Sequence, residues 1–415
     1  MQVRYFVQSL AKGKYAVDAE LSGNAAGCKL FSPDAFGPAN EFFAAFSHFS
    51  YMDAGGKTRR LARRRGRREI ELPAAAVRFS YQVSLGRRRS LLEQMHQARL
   101  RSRFSFMLGL ALFPQVSTAA TVEVEWDQTV FCGLVGSGLR FSFVESRELM
   151  LAPFVLGDWR VWQADGQQWR WLCPAVDAKA LQNSGDCFAD LVAACSDWFG
   201  GPPAPGPLTC YTWIETQAAG GMGYSFRGNC VCVFARRQPT ADRQWLVLHE
   251  LVHQWVGVSI RAAEPSQGWY FEGFVTGLTH LLLIRLGLDE PQRMRQALCD
   301  TLQRYVASDR RDETAQGLLL FCRFADWMNR RQPDNLRQWW RQFWLKHQGL
   351  TISDATVRQE IAETGFPDGA PPENREMLLD LMLRVLYRQS KENSLPLQKY
   401  NSKNTSDSRT AGRKQ

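Results

Sequence analysis

The chain has 415 residues and a formal charge of +10. That length exceeds one ordinary core and predicts two or three domains, while the longest apolar run, "FMLGLALF" at 106–113, falls well short of the roughly 18 residues of a membrane-spanning helix. The first residues, "MQVRYFVQSLAKGKYAVDAEL", lack the apolar core and cleavage site of a secretory signal, so a cytoplasmic location is the default expectation, and ten scattered cysteines with no C-x-x-C pair read as reduced, mostly buried thiols.

Residues 1–165 read as strands. "KYAVDAEL" places Tyr15, Val17, Ala19 and Leu21 on one face, and "VRFSYQVSL" does the same with Val77, Phe79, Tyr81, Val83 and Leu85. "TVEVEWD" and "LRFSFVES" repeat the alternation. Period-two patterning in short runs with turn residues between them predicts an N-terminal antiparallel β domain. The positive charge concentrates here: "KTRRLARRRGRR" carries one lysine and seven arginines over 57–68, and ten minus eight leaves the remainder near +2. Its place between strand-like segments predicts a hairpin tip or loop. The absence of interleaved aromatics and of a nucleic-acid motif argues against nucleic acid as a partner.

From about residue 186 the period changes. "DCFADLVAACSDWFG" has helical spacing and stops at Gly200–Gly201, and "GPPAPGP" (201–207) is a stiff loop. "LTCYTWIET" and "CVCVFA" read as strands around the Gly-rich "QAAGGMGYSFRGN". Helices are predicted over about 241–257 and 268–287, and the chain beyond 290 is helical to about 390. Residues 391–415 are polar, with too little apolar surface to fold, and predict a disordered tail.

The chemistry concentrates in "VLHELVHQWVG", residues 247–257. On an α-helix, His249 and His253 project from one face, and both imidazoles reach one ion. Glu250 stands beside them, placed to hold a water without ligating the metal. The bland alternative is a surface helix whose histidines are satisfied locally. A catalytic zinc takes three protein ligands and leaves one position open. Glu272, inside "WYFEGF" with 18 residues between it and His253, supplies the third.

These motifs, H-E-x-x-H, the 18-residue gap and the aromatic-Glu-Gly-Phe segment, resemble the zinc signature of the gluzincin metallopeptidases. That superfamily includes aminopeptidase N and the glycyl aminopeptidases. "YTWIETQAAGGMGYSF" resembles the cleft strand and Gly-rich segment of the glycyl aminopeptidases, and "GFVTGLTHLLLIRLGL" and "AQGLLLFCRFADWMNRR" resemble the helices that follow; the PDZ module common in that family is not expected within these 415 residues. The resemblance implies an α+β multidomain protein: a β domain (1–165), a thermolysin-like zinc catalytic domain (166–290), a helical region (291–390) and the tail (391–415). It implies one Zn²⁺ per chain on His249, His253 and Glu272, with Glu250 as general base. A peptide substrate then lies along Gly220, Gly221, Met222 and Gly223.

Three positions depart from the family pattern. Gly223 stands where the family carries a glutamate that grips the substrate's amino terminus. An endopeptidase habit, another amine anchor such as Glu215, and no peptide substrate are all open. Thr314 stands in place of the tyrosine that stabilises the oxyanion, leaving Tyr305 or Tyr224 as candidate phenols. Thr279 occupies the place of an acid that orients a histidine. The expected function is a zinc-dependent peptidase with a modified cleft. The alternative is a zinc-binding, catalytically weak or inactive relative that binds peptide or a protein partner there. The sequence leaves the oligomeric state open.

Overall fold

The computed structural model describes all residues except 12, 24–27, 32–44, 62–68, 86–97, 102, 118–120, 134–135, 164–168, 204–206, 217, 219, 264–268, 289–290, 308–311, 333–334 and 368–415. Most of the arginine run, the last stretch of the expected helical region and the expected tail therefore lie outside the described residues. The chain divides into two compact units. The first is Met1–Arg261 with His347–Leu350, and the second is Ala262–Lys346 with the described residues from Thr351 on.

The first unit opens with thirteen strands: β1 (Gln2–Ala11), β2 (Lys14–Ser22), β3 (Lys29–Phe31), β4 (Phe46–Asp53), β5 (Thr58–Arg60), β6 (Glu69–Glu71), β7 (Ala76–Ser84), β8 (Ala98–Leu100), β9 (Phe104–Leu108), β10 (Gln115–Val116), β11 (Thr121–Cys132), β12 (Gly136–Phe143) and, after the short helix α1 (Ser146–Leu151), β13 (Pro153–Gly157). Ten of them form one sheet in the order β5-β4-β7-β2-β1-β11-β13-β9-β8, with β12 also paired to β11. The pairing is antiparallel except between β1 and β11, which run parallel in the register Gln2↔Thr121 to Val7↔Trp126. This corrects a purely antiparallel expectation: the strand next to β1 comes from far along the chain and reaches it in the same direction. The alternation in β2 is as read, with Tyr15, Val17, Ala19 and Leu21 buried. In β7 the register shifts opposite Met52 and Asp53, so Val77 is turned outward while Phe79, Tyr81 and Val83 stay inside.

A second sheet follows: β14 (Trp159–Trp162), β15 (Trp169–Pro174), β16 (Leu208–Glu215), β17 (Met222–Phe226) and β18 (Asn229–Ala235), in the order β14-β15-β16-β18-β17. The helices α2 (Ala178–Asp186) and α3 (Phe188–Phe199) carry the chain from β15 to its parallel neighbour β16. Gly200 ends α3 with φ +87°, a conformation glycine adopts without a Cβ penalty. β16 and β18 are parallel and buried almost throughout, as their near-continuous apolar sequence requires for a sheet covered on both faces. One face carries Leu172, Tyr211, Trp213, Val231 and Val233 into the same core as the first sheet. Phe106 from β9 meets Tyr211 at 5.3 Å and Trp213 at 5.2 Å between ring centroids. The opposite face supports the helix α4 (Thr240–His253).

The second unit is helical: α5 (Trp269–Arg285), α6 (Pro291–Ala307), α7 (Glu313–Arg331), α8 (Asn335–His347, whose last residue belongs to the first unit) and α9 (Asp354–Glu363). Gly273 and Gly277 of α5 let α7 come close at Gly317 and Phe321. Phe274, Phe321, Trp340, Trp339 and Phe324 form the aromatic core of this unit. Among the described residues, no helix is long and apolar enough to cross a membrane, and all ten cysteines are free thiols. The whole is mixed α and β, β-rich at the N-terminal end and helical towards the C-terminal end.

Candidate metal centre

The helix α4 buries Leu246, Val247, Leu248, Leu251 and Val252 and turns Glu250 towards Ser225 of β17. The helix was expected to run to 257 but stops at His253. Gly257, at φ +113°, turns the chain, and its amide donates to Ile260 O. Gln254 fixes that end. Its amide nitrogen donates to Phe226 O at 3.2 Å and Asn229 O at 2.7 Å, and its oxygen accepts from Gly228 N at 3.0 Å. All three partners belong to the β17–β18 turn, so one buried side chain ties the histidine helix to the edge of the sheet.

The Nε2 atoms of His249 and His253 are 3.2 Å apart, with the rings nearly perpendicular. Two imidazole nitrogens on one tetrahedral zinc, each at about 2.0–2.1 Å, stand about 3.3 Å apart, so the pair fits a shared ion. Nδ1 of His253 lies 3.2 Å from Val256 O. A carbonyl only accepts, so Nδ1 carries the proton and Nε2 presents its lone pair, the tautomer a metal ligand needs. A Cβ on Gly257 would lie 3.1 Å from that same Nδ1. Trp245, one turn before His249, stacks on its ring at 4.8 Å with a 20° tilt.

Glu250 is buried and held on β17. The Ser225 hydroxyl lies 2.6 Å from the Glu250 carbonyl oxygen and 2.8 Å from its Oε2. Gly223, two residues back on the same face, leaves the space the carboxylate fills: a Cβ there would lie 2.4 Å from Oε1 and 2.7 Å from Cδ. Tyr224 points to the other side. It stacks on Phe226 and packs against the apolar core with Met222. Burial, and after it the neighbouring Glu250 charge, holds its phenol well above the usual tyrosine range. Gly220 is exposed, and Gly221 faces the Gln238 amide, 2.5 Å from where its Cβ would be.

Glu215 is not an open anchor. It is 2% exposed, its carboxylate 2.5 Å from Arg99 Nη2 and 3.0 Å from Arg101 Nη2. Nearby, Asp177 accepts from the Ile214 amide at 3.1 Å, and burial raises its carboxyl above the ordinary value. In the second unit, Glu272 is exposed in the first turn of α5, beside the buried Tyr270 and Phe271. The Thr279 hydroxyl donates to Val275 O at 2.7 Å. Thr314 lies in the first turn of α7. Tyr305 is on α6, and its side chain lies outside the described residues.

Ser225, Gln254, Trp245 and Gly257 were not read from the sequence. Trp245, four residues before His249, carried the helical spacing that could have found it. Ser225 and Gln254 act across a turn that spacing alone does not reveal.

No protein-family model matches the sequence, and no curated protein matches it. The fold does match solved structures. An aminopeptidase N family protein from Idiomarina loihiensis superposes with a TM-score of 0.69 at 16% identity, covering 93% of this chain and 76% of that one. Yeast LTA4 hydrolase in complex with bestatin gives 0.54 at 13% identity, over 90% and 68%. A mutant M1 zinc metallopeptidase from Deinococcus radiodurans, bound to a Tyr-Ser-Ala substrate, gives 0.51 at 16% identity, over 93% of each chain. The fold of this chain is thus similar to that of aminopeptidase N family and M1 zinc metallopeptidase structures.

Proposed function

We propose that this protein is a zinc-dependent peptidase, with residues 166–290 as a thermolysin-like catalytic unit behind an N-terminal β domain. The observation that carries the proposal is the pair of imidazole Nε2 atoms 3.2 Å apart on α4, beside the buried carboxylate of Glu250. Glu272 is the third ligand of this reading. Two imidazoles with one carboxylate are a donor set catalytic zinc takes. Zinc, when bound, supplies Lewis acidity that polarises a scissile carbonyl and acidifies water.

The chain's own residues do the rest. Glu250 takes the proton of the attacking water and hands it to the leaving amine, a role worth about 10²–10⁴ in rate. Val256 O keeps the proton of His253 on Nδ1. β17 pairs only with β18 among the described residues. Its other edge suits an extended peptide added as an antiparallel strand past Gly220, Gly221, Met222 and Gly223. The Tyr-Ser-Ala substrate of the Deinococcus metallopeptidase supports a peptide as the occupant. Tyr224 and Tyr305 are the phenols proposed for the oxyanion, with a turn of the Tyr224 side chain out of its core packing required of the first.

The test is the metal content of purified protein, measured by mass spectrometry beside His253→Ala and Glu272→Ala. One zinc per chain, lost or weakened in both variants, is the expected result, followed by cleavage of a peptide library by the wild type. A wild type without zinc, or a His253→Ala protein that keeps it, would overturn the reading.

A further inference from the structure

We infer that Ser225 and Gly223 form a built seat for the Glu250 carboxylate, which makes Ser225 a positioning residue for the reaction; the inference rests on the peptidase reading above. A glutamate on a helix has three rotatable bonds and sweeps a wide arc. Here that arc is closed from the neighbouring strand. The Ser225 hydroxyl bridges two oxygens of one residue, Glu250 O at 2.6 Å and Oε2 at 2.8 Å, so strand, helix backbone and carboxylate are joined at one point. The other carboxylate oxygen is set by shape: Oε1 occupies the volume that any side chain at 223 would fill, 2.4 Å from a Cβ there.

The seat belongs to a rigid frame. Ser225 pairs with Cys230 and Gly223 with Cys232 across the β17–β18 ladder. The turn joining those strands is held by the Gln254 amide at the end of the same helix that carries Glu250. Strand and helix therefore cannot slide past one another without breaking this set of bonds. β17 is also the strand proposed to receive the substrate. The element that would register the peptide thus also registers the base, and a misplacement of about 1 Å in such a geometry costs on the order of 10²-fold.

The test uses full-length protein as Ser225→Ala, Ser225→Thr and Gly223→Ala, and reads zinc content and acetohydroxamate affinity by calorimetry. Acetohydroxamate chelates zinc and shares its proton with an adjacent carboxylate, so it reports the position of Glu250 without turnover. We expect one zinc in every protein. Ser225→Ala and Gly223→Ala should bind the probe about 10- to 100-fold more weakly, and Ser225→Thr should stay close to wild type because it keeps the hydroxyl. On peptide substrates Ser225→Ala should lose kcat with little change in KM.

Wild-type affinity in Ser225→Ala with zinc in place overturns the seat alone. Loss of zinc in Ser225→Ala also overturns it, since the hydroxyl would then serve the metal site as a whole. A Ser225→Thr protein as weak as Ser225→Ala shows that the hydroxyl is not the cause. A wild type that binds no zinc overturns the peptidase reading first, and this proposal with it.

Discussion

Gly273 and Gly317 bring α5 and α7 into backbone contact: a Cβ on Gly273 would lie 2.3 Å from the carbonyl carbon of Gly317 and from the amide of Leu318. Main chain cannot yield as a side chain can. Gly273→Ala should therefore destabilise the helical unit by about 1–3 kcal/mol, seen as a lower Tm. Gly277→Ala meets first the Phe321 ring, a side chain, and should cost less. Equal stability of Gly273→Ala and wild type would show that the helices are further apart than described.

Glu250→Gln tests the base without disturbing its surroundings. The amide fits the same volume and does not ligate, so zinc content should stay at the wild-type level. Hydrolysis should fall about 10²–10⁴-fold, the range for loss of a general base. Activity surviving the change would assign the proton transfer elsewhere.

Glu215 neutralises two guanidinium groups in the interior of the first unit. Glu215→Ala leaves Arg99, 17% exposed, without its carboxylate. Breaking one side of such a buried pair costs about 3 kcal/mol, and a second change, Arg99→Ala, should recover part of it. Urea unfolding of the single and double variants measures both. Additive losses would mean that the pair contributes nothing specific.

Burial pushes the Cys187 thiol up to about 11 and the Cys173 thiol up to about 12, from an ordinary 9.0. Below pH 9 both folded and unfolded chains keep these protons, and the stability is fully present. As pH rises past 9, the unfolded chain releases them while the folded one holds them until about 11 and 12. The unfolded state gains, so stability falls across pH 9–12. Calorimetry under reducing conditions should show Tm dropping through that window, with a shallower drop in Cys187→Ala. A flat profile would place these thiols in contact with water.

The sequence made the site legible where chemistry and helical period coincide. His249, Glu250 and His253 lie within one turn of a helix whose other face is apolar, and such spacing needs no tertiary information. The same holds for β2, where Tyr15 to Leu21 alternate without interruption. What escaped was whatever depends on a partner distant in the chain. Val77 follows the alternation of β7 yet faces outward, because β7 takes two steps there, from Arg78 to Ala76, against one on β4, from Met52 to Asp53, which leaves Val77 as the extra residue of a bulge. Glu215 reads as a strand-end carboxylate. Only the fold brings Arg99 and Arg101 to it from more than a hundred positions away. Tyr224 lies next to the cleft glycines in sequence, but strand alternation turns its ring to the opposite face from Gly223.

The parallel pairing of β1 with β11 has a consequence for biosynthesis. Arg4 and Glu125, 121 positions apart, share a hydrogen bond at 2.9 Å across that ladder. During translation β1 and its hairpin partner β2 leave the ribosome long before the parallel neighbour β11 exists. Long-range pairing of this kind makes folding slow, and meanwhile Val3, Tyr5 and Val7, wholly interior in the native state, remain uncovered. The nascent chain thus carries an apolar strand in waiting, the kind of segment chaperones shield.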